Sequence, residues 1–339
     1  MTARARHRPL ISVSDLEVAF HAGASSVRAV RDVSFTIGKS EVVALVGESG
    51  CGKSTAGLAL LGLHPPAKAT VNGAIRVRCK DGSDLDVVGA SERRLRRLRG
   101  NDIAMIFQEP MSSLNPVHRI GDQIVEALRI HRSMPRSKAW VRALGLLTEL
   151  GVPSPEKCLM SYPHQLSGGM RQRVMIAMAL SGEPALLIAD EPTTALDVTI
   201  QAQIVDLLKE LQQRTQMAML FVSHDLALVS QVASRVLVMY AGEIIEEGPL
   251  PEVFQRPRMP YTRALMRSRV ELGAERRKIE PIPGNVPNLA RLPKGCAFHP
   301  RCPHCVPGLC DVKPPALERV DERWSVRCHR WREIEATQA

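Results

Sequence analysis

The sequence predicts an α/β fold in which a parallel sheet alternates with helices. An N-terminal antiparallel subdomain, a helical insert and a C-terminal extension complete the expected architecture. Uninterrupted apolar runs recur at 42–46, 186–189 and 219–222, as is typical of strands that are buried on both faces of a parallel sheet. Helical stretches separate these runs along the chain, which is the alternation that an α/β core requires.

The remaining segments are predicted from their own patterns. Apolar and polar residues alternate over about 12–37, which favours short antiparallel strands. Apolar spacings of three and four indicate a helical insert over about 112–183. Prolines become frequent after residue 246, so we expect little regular structure there apart from a helix from Pro260 to Leu272. We therefore divide the chain into a core domain, 1–245, and an extension, 246–339.

Composition limits the classes of protein that need to be considered. The 339 residues suffice for one large domain or up to two ordinary ones, and 45% hydrophobic residues exclude a disordered chain. The net charge of +10 suits an anionic partner such as a nucleotide, a nucleic acid or a membrane surface. No stretch approaches the ~18 apolar residues of a membrane span. Asp15 and Glu17 interrupt the basic N-terminus before a signal sequence forms, so we expect a cytosolic location.

A glycine-rich motif follows the first buried run. Residues 47–54 read GESGCGKS and satisfy G-x-x-x-x-G-K-[ST], between a strand and the helical run from Ser54 to Leu63. Glycines let successive backbone N–H groups converge on an anion, and a helix N-terminus adds partial positive charge. Lys53 is expected to meet the β- and γ-phosphates and Ser54 to ligate Mg²⁺. The nucleotide-binding residues predicted here are Gly47, Ser49, Gly50, Cys51, Gly52, Lys53, Ser54 and Thr55.

Polar side chains end the two later buried runs. Asp190 and Glu191 follow one run and His224 follows the other. The carboxyl ends of parallel strands line the ligand crevice, so Asp190 suits the Mg²⁺ shell and Glu191 would orient or deprotonate the attacking water. His224 would reach the γ-phosphate. An isolated Asp-Glu pair is usually a surface feature, and the phosphate motif is what favours catalysis.

Further motifs carry a family resemblance. Residues 166–173, LSGGMRQR, resemble the signature motif of ATP-binding cassette (ABC) ATPases. Gln108 resembles that family's Q-loop glutamine, residues 195–197 resemble its D-loop, and His224 resembles its switch histidine. Phe20 stands where the family places an aromatic residue that stacks on adenine.

The resemblance implies a P-loop cassette that works as a head-to-tail dimer, with ATP and Mg²⁺ as cofactors. Ser167, Gly168 and Gly169 would contact the nucleotide held by the partner cassette, and Asp197 would join the nucleotide-contacting set. Gln108 would join Ser54 and Asp190 around Mg²⁺ and report the γ-phosphate to the helical insert. Every catalytic position is present, so the resemblance implies a competent ATPase that is slow as an isolated chain.

Three segments narrow the resemblance to the oligopeptide and dipeptide importers. Residues 108–116, 162–165 and 173–180 are similar to the D-type subunit of these transporters, and the extension is similar to theirs. The implied partners are an F-type ATPase, two transmembrane permease subunits and an extracytoplasmic substrate-binding protein. The implied location is peripheral, at the cytoplasmic face of the inner membrane.

Other functions remain open at this stage. An importer of the same type could carry nickel, a glycoside or another small solute. A soluble ABC ATPase that acts on nucleic acid or ribosomes fits the basic charge. The single cassette and an aromatic content of only 4%, which leaves few stacking platforms for bases, disfavour it. We expect no nucleic-acid partner.

Five of the eight cysteines lie in the extension, at positions 296, 302, 305, 310 and 328. Thiolates at such spacings can close on one soft metal centre, and four of them suit Zn²⁺ or an iron–sulfur cluster. The spacing does not distinguish zinc from an iron–sulfur cluster, and it is also compatible with thiols that bind no metal. The resemblance implies a [4Fe–4S] cluster on Cys296, Cys302, Cys310 and Cys328. The chain departs from the family pattern by one extra residue between the second and third ligands and by Cys305, a substitute for Cys310 or a spare thiol.

Overall fold

The computed structural model describes residues 8–22, 25–109, 113–194, 196–268 and 281–336. It divides into two compact units. The first, here the insert unit, comprises Met1–Ile11, Ile37–Glu41 and Val77–Val222. The second, here the loop unit, comprises Ser12–Thr36, Val42–Arg76 and Ser223–Ala339. The loop unit therefore contains both the phosphate motif and the C-terminal extension.

Strands and helices alternate through the described residues. The strands are β1 (Ile11–Ala22), β2 (Ser25–Ile37), β3 (Val42–Val46), β4 (Ala69–Arg78), β5 (Asp84–Asp86), β6 (Ile103–Ile106), β7 (Leu186–Asp190), β8 (Ala218–Ser223), β9 (Arg235–Tyr240), β10 (Glu243–Pro249), β11 (Glu318–Arg319) and β12 (Ser325–Val326). The α-helices are α1 (Lys53–Ala59), α2 (Glu92–Leu98), α3 (Ile120–Arg132), α4 (Arg136–Glu149), α5 (Pro155–Met160), α6 (Gly168–Leu180), α7 (Val198–Thr215), α8 (Leu226–Val232), α9 (Leu250–Gln255), α10 (Pro260–Arg267) and α11 (Trp331–Ala336).

Parallel strands form the centre of the insert unit. Strand β7 lies between β6 and β8 and pairs in parallel with both. Every residue of β7 and β8 is buried, because a parallel sheet is covered on both faces and its strands are apolar throughout. The predicted buried runs at 186–189 and 219–222 are therefore confirmed as strands. Their carboxyl ends carry the polar residues singled out from the sequence.

The predicted helical insert consists of α3, α4, α5 and α6. Helices α3 and α4 meet at Gly121, where a methyl group would lie 2.6 Å from the Trp140 ring and 2.8 Å from the carbonyl oxygen of Leu159. Glycine is required there because the two helices leave no room for a side chain. Apolar residues at helical spacing, such as Ile124 and Leu128, are buried, as the periodicity predicts.

The loop unit holds a mixed sheet to which the extension contributes. Strand β3 pairs in parallel with β9, and β9 pairs antiparallel with β10. The extension then adds β12 against β10, and β11 against β12. The domain boundary proposed at residue 245 falls within β10, so the extension is continuous with this sheet. Strands β2, β1 and β4 neighbour one another in a second sheet of this unit, where the sequence predicts N-terminal strands.

A buried carboxyl group fastens the extension to β10. Glu246 accepts hydrogen bonds from the backbone N–H groups of Arg258 (2.7 Å) and Met259 (3.2 Å) and from the Trp324 indole N–H (3.0 Å). Burial raises the pKa of this carboxyl group, and the three donors satisfy its oxygens. Arg258 and Met259, which precede residues 269–280, and Trp324, which follows them, are thus held to the same strand.

Two helices are shorter than predicted. The helix expected from Ser54 to Leu63 ends at Ala59. The backbone N–H groups of Leu61 and Gly62 bond to carbonyl oxygens only three residues earlier, and Gly62 adopts the left-handed φ of +60° that commonly ends a helix. The helix expected to reach Leu272 ends at Arg267, and the remainder of that prediction lies outside the described residues. Within the described ranges, no helix is both long and apolar enough to span a membrane.

Candidate functional site

The phosphate motif packs against two strands of the loop unit. A methyl group on Gly47 would lie 2.2 Å from the Met239 carbonyl oxygen, and one on Gly52 would lie 2.3 Å from the Ala29 carbonyl oxygen. Gly52 also adopts φ +108°, a conformation that side chains disfavour. Glycine is therefore dictated at both positions by the backbone of β9 and β2 as well as by the turn itself.

Lys53 lies inside this turn. Its side chain is buried, and its ammonium group donates to the carbonyl oxygens of Gly47 (2.9 Å) and Glu48 (3.1 Å). Gly52 precedes α1 and leaves its N-terminus without a side-chain cap. A cation and the N-terminus of a helix thus lie side by side, which is the arrangement that binds phosphate groups.

Phe20 lies near the end of β1 and is partly exposed. Its ring meets the His64 ring edge-on, with centroids 5.5 Å apart. A His64 ring nitrogen is 2.9 Å from the carbonyl oxygen of Thr55, so Phe20 is connected through one side chain to the helix that follows the phosphate motif. Its role in stacking on adenine remains a prediction.

Two residues of the loop unit, Arg301 and Tyr261, contact the phosphate motif, and a third, Tyr240, contacts Arg301; none of them was predicted from the sequence. Arg301 donates to both carboxylate oxygens of Glu48, at 2.7 and 2.9 Å. The Tyr261 hydroxyl accepts from the Glu48 backbone N–H at 2.9 Å, and the Tyr240 hydroxyl accepts from Arg301 at 3.3 Å. The only sequence signal was the position of Arg301 next to Cys302, which did not indicate a contact with the motif.

The acidic pair follows β7 in the insert unit. Asp190 is buried, and Glu191 adopts φ +43°, a strained conformation of the kind that accumulates at functional sites. The Glu191 carboxylate accepts from the Gln108 side-chain amide (3.1 Å) and the Thr194 hydroxyl (3.0 Å). The structure thus brings together Glu191 and Gln108, two residues that the sequence analysis selected separately. These two hydrogen bonds hold the carboxylate in a fixed position. A group that accepts a proton from water must be positioned in this way.

The signature and D-loop residues begin helices of the insert unit. Ser167 caps α6 by accepting from the Met170 N–H at 3.4 Å, and Asp197 caps α7 by accepting from the Ile200 N–H at 3.0 Å. Ser167 and Gly168 are exposed, and their predicted contact with the nucleotide of a partner cassette stays a prediction. Asp197 has a structural role as an N-cap, and its predicted contact with nucleotide stays a prediction.

The predicted nucleotide residues are divided between the units. Phe20, the motif 47–55 and His224 belong to the loop unit, whereas Gln108, Asp190, Glu191 and the signature residues belong to the insert unit. His224 is exposed at the end of β8, one residue before the N-cap of α8. The assignment of all these residues to one nucleotide remains a prediction.

The cysteines of the extension are all free thiols. In the described part of the chain, no three His, Cys, Asp or Glu side chains converge as ligands for a metal ion, so the predicted metal centre has no support from a preformed ion site. One small cavity is nevertheless lined by four of the thiols, and Cys305 does not line it. Those four are Cys296, Cys302, Cys310 and Cys328. Burial raises the pKa of Cys296 to about 12 and that of Cys302 to about 11.

Comparisons with known proteins agree with the expected family. Residues 30–194 match the family described as ABC transporter, and residues 245–310 match the one described as oligopeptide/dipeptide transporter, C-terminal region. A Brucella ovis protein named "Putative peptide import ATP-binding protein" is 50% identical over 336 residues, covering 97% of this chain and 99% of that protein. The dipeptide transport ATP-binding protein DppD of Escherichia coli is 45% identical over 322 residues, covering 94% of this chain and 96% of DppD.

A solved structure confirms the fold. The dimeric ATP-binding cassette MJ0796, in a post-hydrolysis state bound to ADP and phosphate, is 26% identical with a TM-score of 0.62. The match covers 71% of this chain and 98% of the cassette. The chain therefore belongs to the ABC transporter family: it is an ATP-binding subunit, an ATPase coupled to transport, and it carries the C-terminal region of the oligopeptide/dipeptide transporters.

Proposed function

We propose that the chain is the ATP-hydrolysing motor subunit of a membrane importer for dipeptides or oligopeptides. The observation that carries this proposal is similarity over nearly the whole chain, extension included, to proteins named for peptide import and dipeptide transport. Import of nickel or a glycoside by the same type of complex is the alternative.

The chain's own residues account for the chemistry of the motor. The amides of the motif 47–55 and the Lys53 ammonium hold the triphosphate. Ser54, Asp190 and Gln108 would hold Mg²⁺, which neutralises charge on the phosphates when it is bound. Glu191 takes a proton from the attacking water. Gln108 and Thr194 hold the Glu191 carboxylate in place through the hydrogen bonds seen in the insert unit.

The remaining predicted residues serve the dimer and the γ-phosphate. His224 contacts the γ-phosphate, and Asp197 belongs to the nucleotide-contacting set. Ser167, Gly168 and Gly169 contact the nucleotide held by a partner cassette, and the exposure of Ser167 and Gly168 at the start of α6 supports this role. Residues 1–245 form the nucleotide-binding domain in this proposal, and 246–339 form the importer-type extension.

The proposed complex has four further components. They are an F-type ATPase, two transmembrane permease subunits and an extracytoplasmic binding protein that selects the cargo. The chain sits peripherally at the cytoplasmic face of the membrane, where its net charge of +10 suits an anionic leaflet.

Purification of the tagged chain from its own membranes in detergent tests this proposal. We expect two permeases and a second ABC ATPase to co-purify, and we expect peptide-loaded binding protein to raise ATP turnover. A complex that contains Lys53→Ala controls for contaminating ATPases. If nickel or a glycoside raises ATP turnover and peptide does not, the cargo belongs to that class and not to the peptides. If the chain purifies as a soluble product with ribosomes or nucleic acid, the proposal of an importer is wrong.

The four cavity-lining cysteines are proposed as ligands of a [4Fe–4S] cluster. Four soft thiol donors that face one space are a suitable ligand set for iron. The cavity measures only about 20 Å³, about the room for one water, so these side chains must turn to admit a cluster. A cluster held in this extension would supply structural or redox-sensing chemistry, and zinc is the alternative.

Three serine variants in the full-length chain test the ligand set. After anaerobic purification we expect Cys305→Ser to contain as much iron and acid-labile sulfide as the wild type, because Cys305 does not line the cavity. Cys302→Ser is expected to lose both, because a ligand is removed. Iron-free, colourless wild-type protein would overturn the cluster, and stoichiometric zinc in its place would establish the zinc alternative. If Cys305→Ser loses iron and Cys310→Ser retains it, then Cys305 and not Cys310 is the ligand.

A further inference from the structure

Arg301 is a charged residue of the extension that is almost completely withdrawn from water. Its side chain is only 5% exposed. Its Nε donates to the Pro283 carbonyl oxygen at 2.8 Å, and its two terminal nitrogens reach both carboxylate oxygens of Glu48. A bidentate pair of this kind combines geometric specificity with strength. The guanidinium group is therefore held in one position relative to the phosphate motif.

Glu48 is the second residue of that motif, and its own backbone is also held. Its N–H donates to the Tyr261 hydroxyl, and its carbonyl oxygen accepts from Lys53. The negative charge of the Glu48 carboxylate would repel the negative charge of a bound triphosphate. This repulsion is stronger than in bulk water, because solvent is partly excluded from the loop. Arg301 cancels that charge, so the loop presents Lys53 and its amides to an anion without a competing negative group.

Aromatic rings fix the position of Arg301. The rings of Tyr240, Tyr261 and Phe298 pack against one another with centroid separations of 4.5 to 5.4 Å. The Arg301 guanidinium lies 5.9 Å from the centroids of both Tyr240 and Phe298. Phe298 and Arg301 lie between Cys296 and Cys302 in the chain. The local fold of the cysteine region therefore determines where the guanidinium is placed.

We propose that Arg301 is a positioning residue for the phosphate loop, through which the C-terminal extension sets the affinity for ATP. The proposal rests on ATP binding at 47–55, as in the proposed function, and not on the cargo or on a metal centre. By linkage, a ligand that binds the loop must stabilise the ordered extension to the same extent that the extension favours the ligand.

A double-mutant cycle on the full-length chain tests the charge pair. The readout is the Kd of a fluorescent ATP analogue, measured for the wild type, Glu48→Gln, Arg301→Gln and the double variant. We expect Arg301→Gln to weaken binding about tenfold, because it leaves the Glu48 carboxylate beside the triphosphate without its counter-charge. The double variant is expected to bind more tightly than Arg301→Gln, since the offending charge is gone. Arg301→Lys should recover part of the affinity, because charge returns without the bidentate geometry.

Arg327→Gln is the matched control. Arg327 is also a largely buried arginine of the extension, and it pairs with Asp32, which is not part of the phosphate motif. Its loss should leave the Kd for nucleotide unchanged. Wild-type affinity in Arg301→Gln, or a double variant as weak as Arg301→Gln, would overturn the proposal, since a merely structural arginine gives no rescue.

Hydrogen exchange provides a second measurement, and its wild-type result is informative even if Arg301→Gln folds poorly. ATP is expected to slow amide exchange at 296–310 in the wild type and in Arg327→Gln, and to have no effect there in Arg301→Gln. Unchanged exchange in an ATP-saturated wild type would refute the coupling alone. A wild type that binds no ATP would overturn the proposed function, and the coupling with it.

Discussion

Glu191→Gln is expected to lower ATP turnover by the assembled complex at least about a hundredfold, the usual contribution of a general base. The amide has nearly the same shape as the carboxylate but accepts no proton from water. The Gln108 and Thr194 side chains that hold the carboxylate stay in place, so the affinity for ATP should change little. The measurement is kcat for ATP alongside the Kd for nucleotide in the same preparation.

Thr194→Val provides the graded control for this substitution. It removes one hydrogen bond to the carboxylate and leaves the base itself, so its effect on kcat should be several-fold smaller than that of Glu191→Gln. Turnover that survives Glu191→Gln in the assembled complex would show that another group accepts the proton.

Gly52→Ala is expected to weaken nucleotide binding about a hundredfold in a chain that still folds. A methyl group there lies 2.3 Å from the Ala29 carbonyl oxygen and 2.9 Å from the Met239 Cε atom. The carbonyl belongs to backbone and cannot turn away, so the phosphate loop must shift instead. A displacement of about 1 Å at a binding group is enough to reduce its contribution about a hundredfold. The Kd for ATP, measured beside the melting temperature, separates lost binding from lost folding.

Gly50→Ala is the comparison that isolates the steric effect. Gly50 also has a positive φ, +78°, but a methyl group on it meets no atom within 4 Å. The left-handed conformation alone disfavours alanine by about 1 kcal/mol, and ATP binding should be reduced far less than in Gly52→Ala. Equal affinities in the two variants would mean that the β2 backbone does not constrain the loop.

The core fold was predictable because its signals are local. Buried parallel strands are apolar throughout, so β3, β7 and β8 were identified from short windows of sequence. The ends of α1 and α10 were not predicted, since a helix ends where turn geometry and packing compete with periodicity. Gly121 gave no sign of its role, because its need for glycine comes from the Trp140 ring on another helix.

The candidate site was predictable in its chemistry and only partly in its arrangement. Gln108 and Glu191 are 83 residues apart, and their resemblance to family motifs named both without showing the hydrogen bond between them. For the cysteines, spacing left Cys305 and Cys310 interchangeable. The fold distinguishes them, because only Cys310 lines the cavity with the other three thiols.

The α/β class and the phosphate motif were predictable from the amino-acid sequence alone. Both depend on residues that are close together in the chain, where periodicity and glycine placement reveal the backbone conformation. The ABC transporter family followed from the resemblance of short motifs and was confirmed by similarity to its members. The folded chain was needed to show that the extension joins the sheet of the loop unit through β12, and that Arg301 pairs with Glu48, 253 residues away. A buried ion pair leaves no local pattern, since neither residue type reveals its partner until the chain has folded around both.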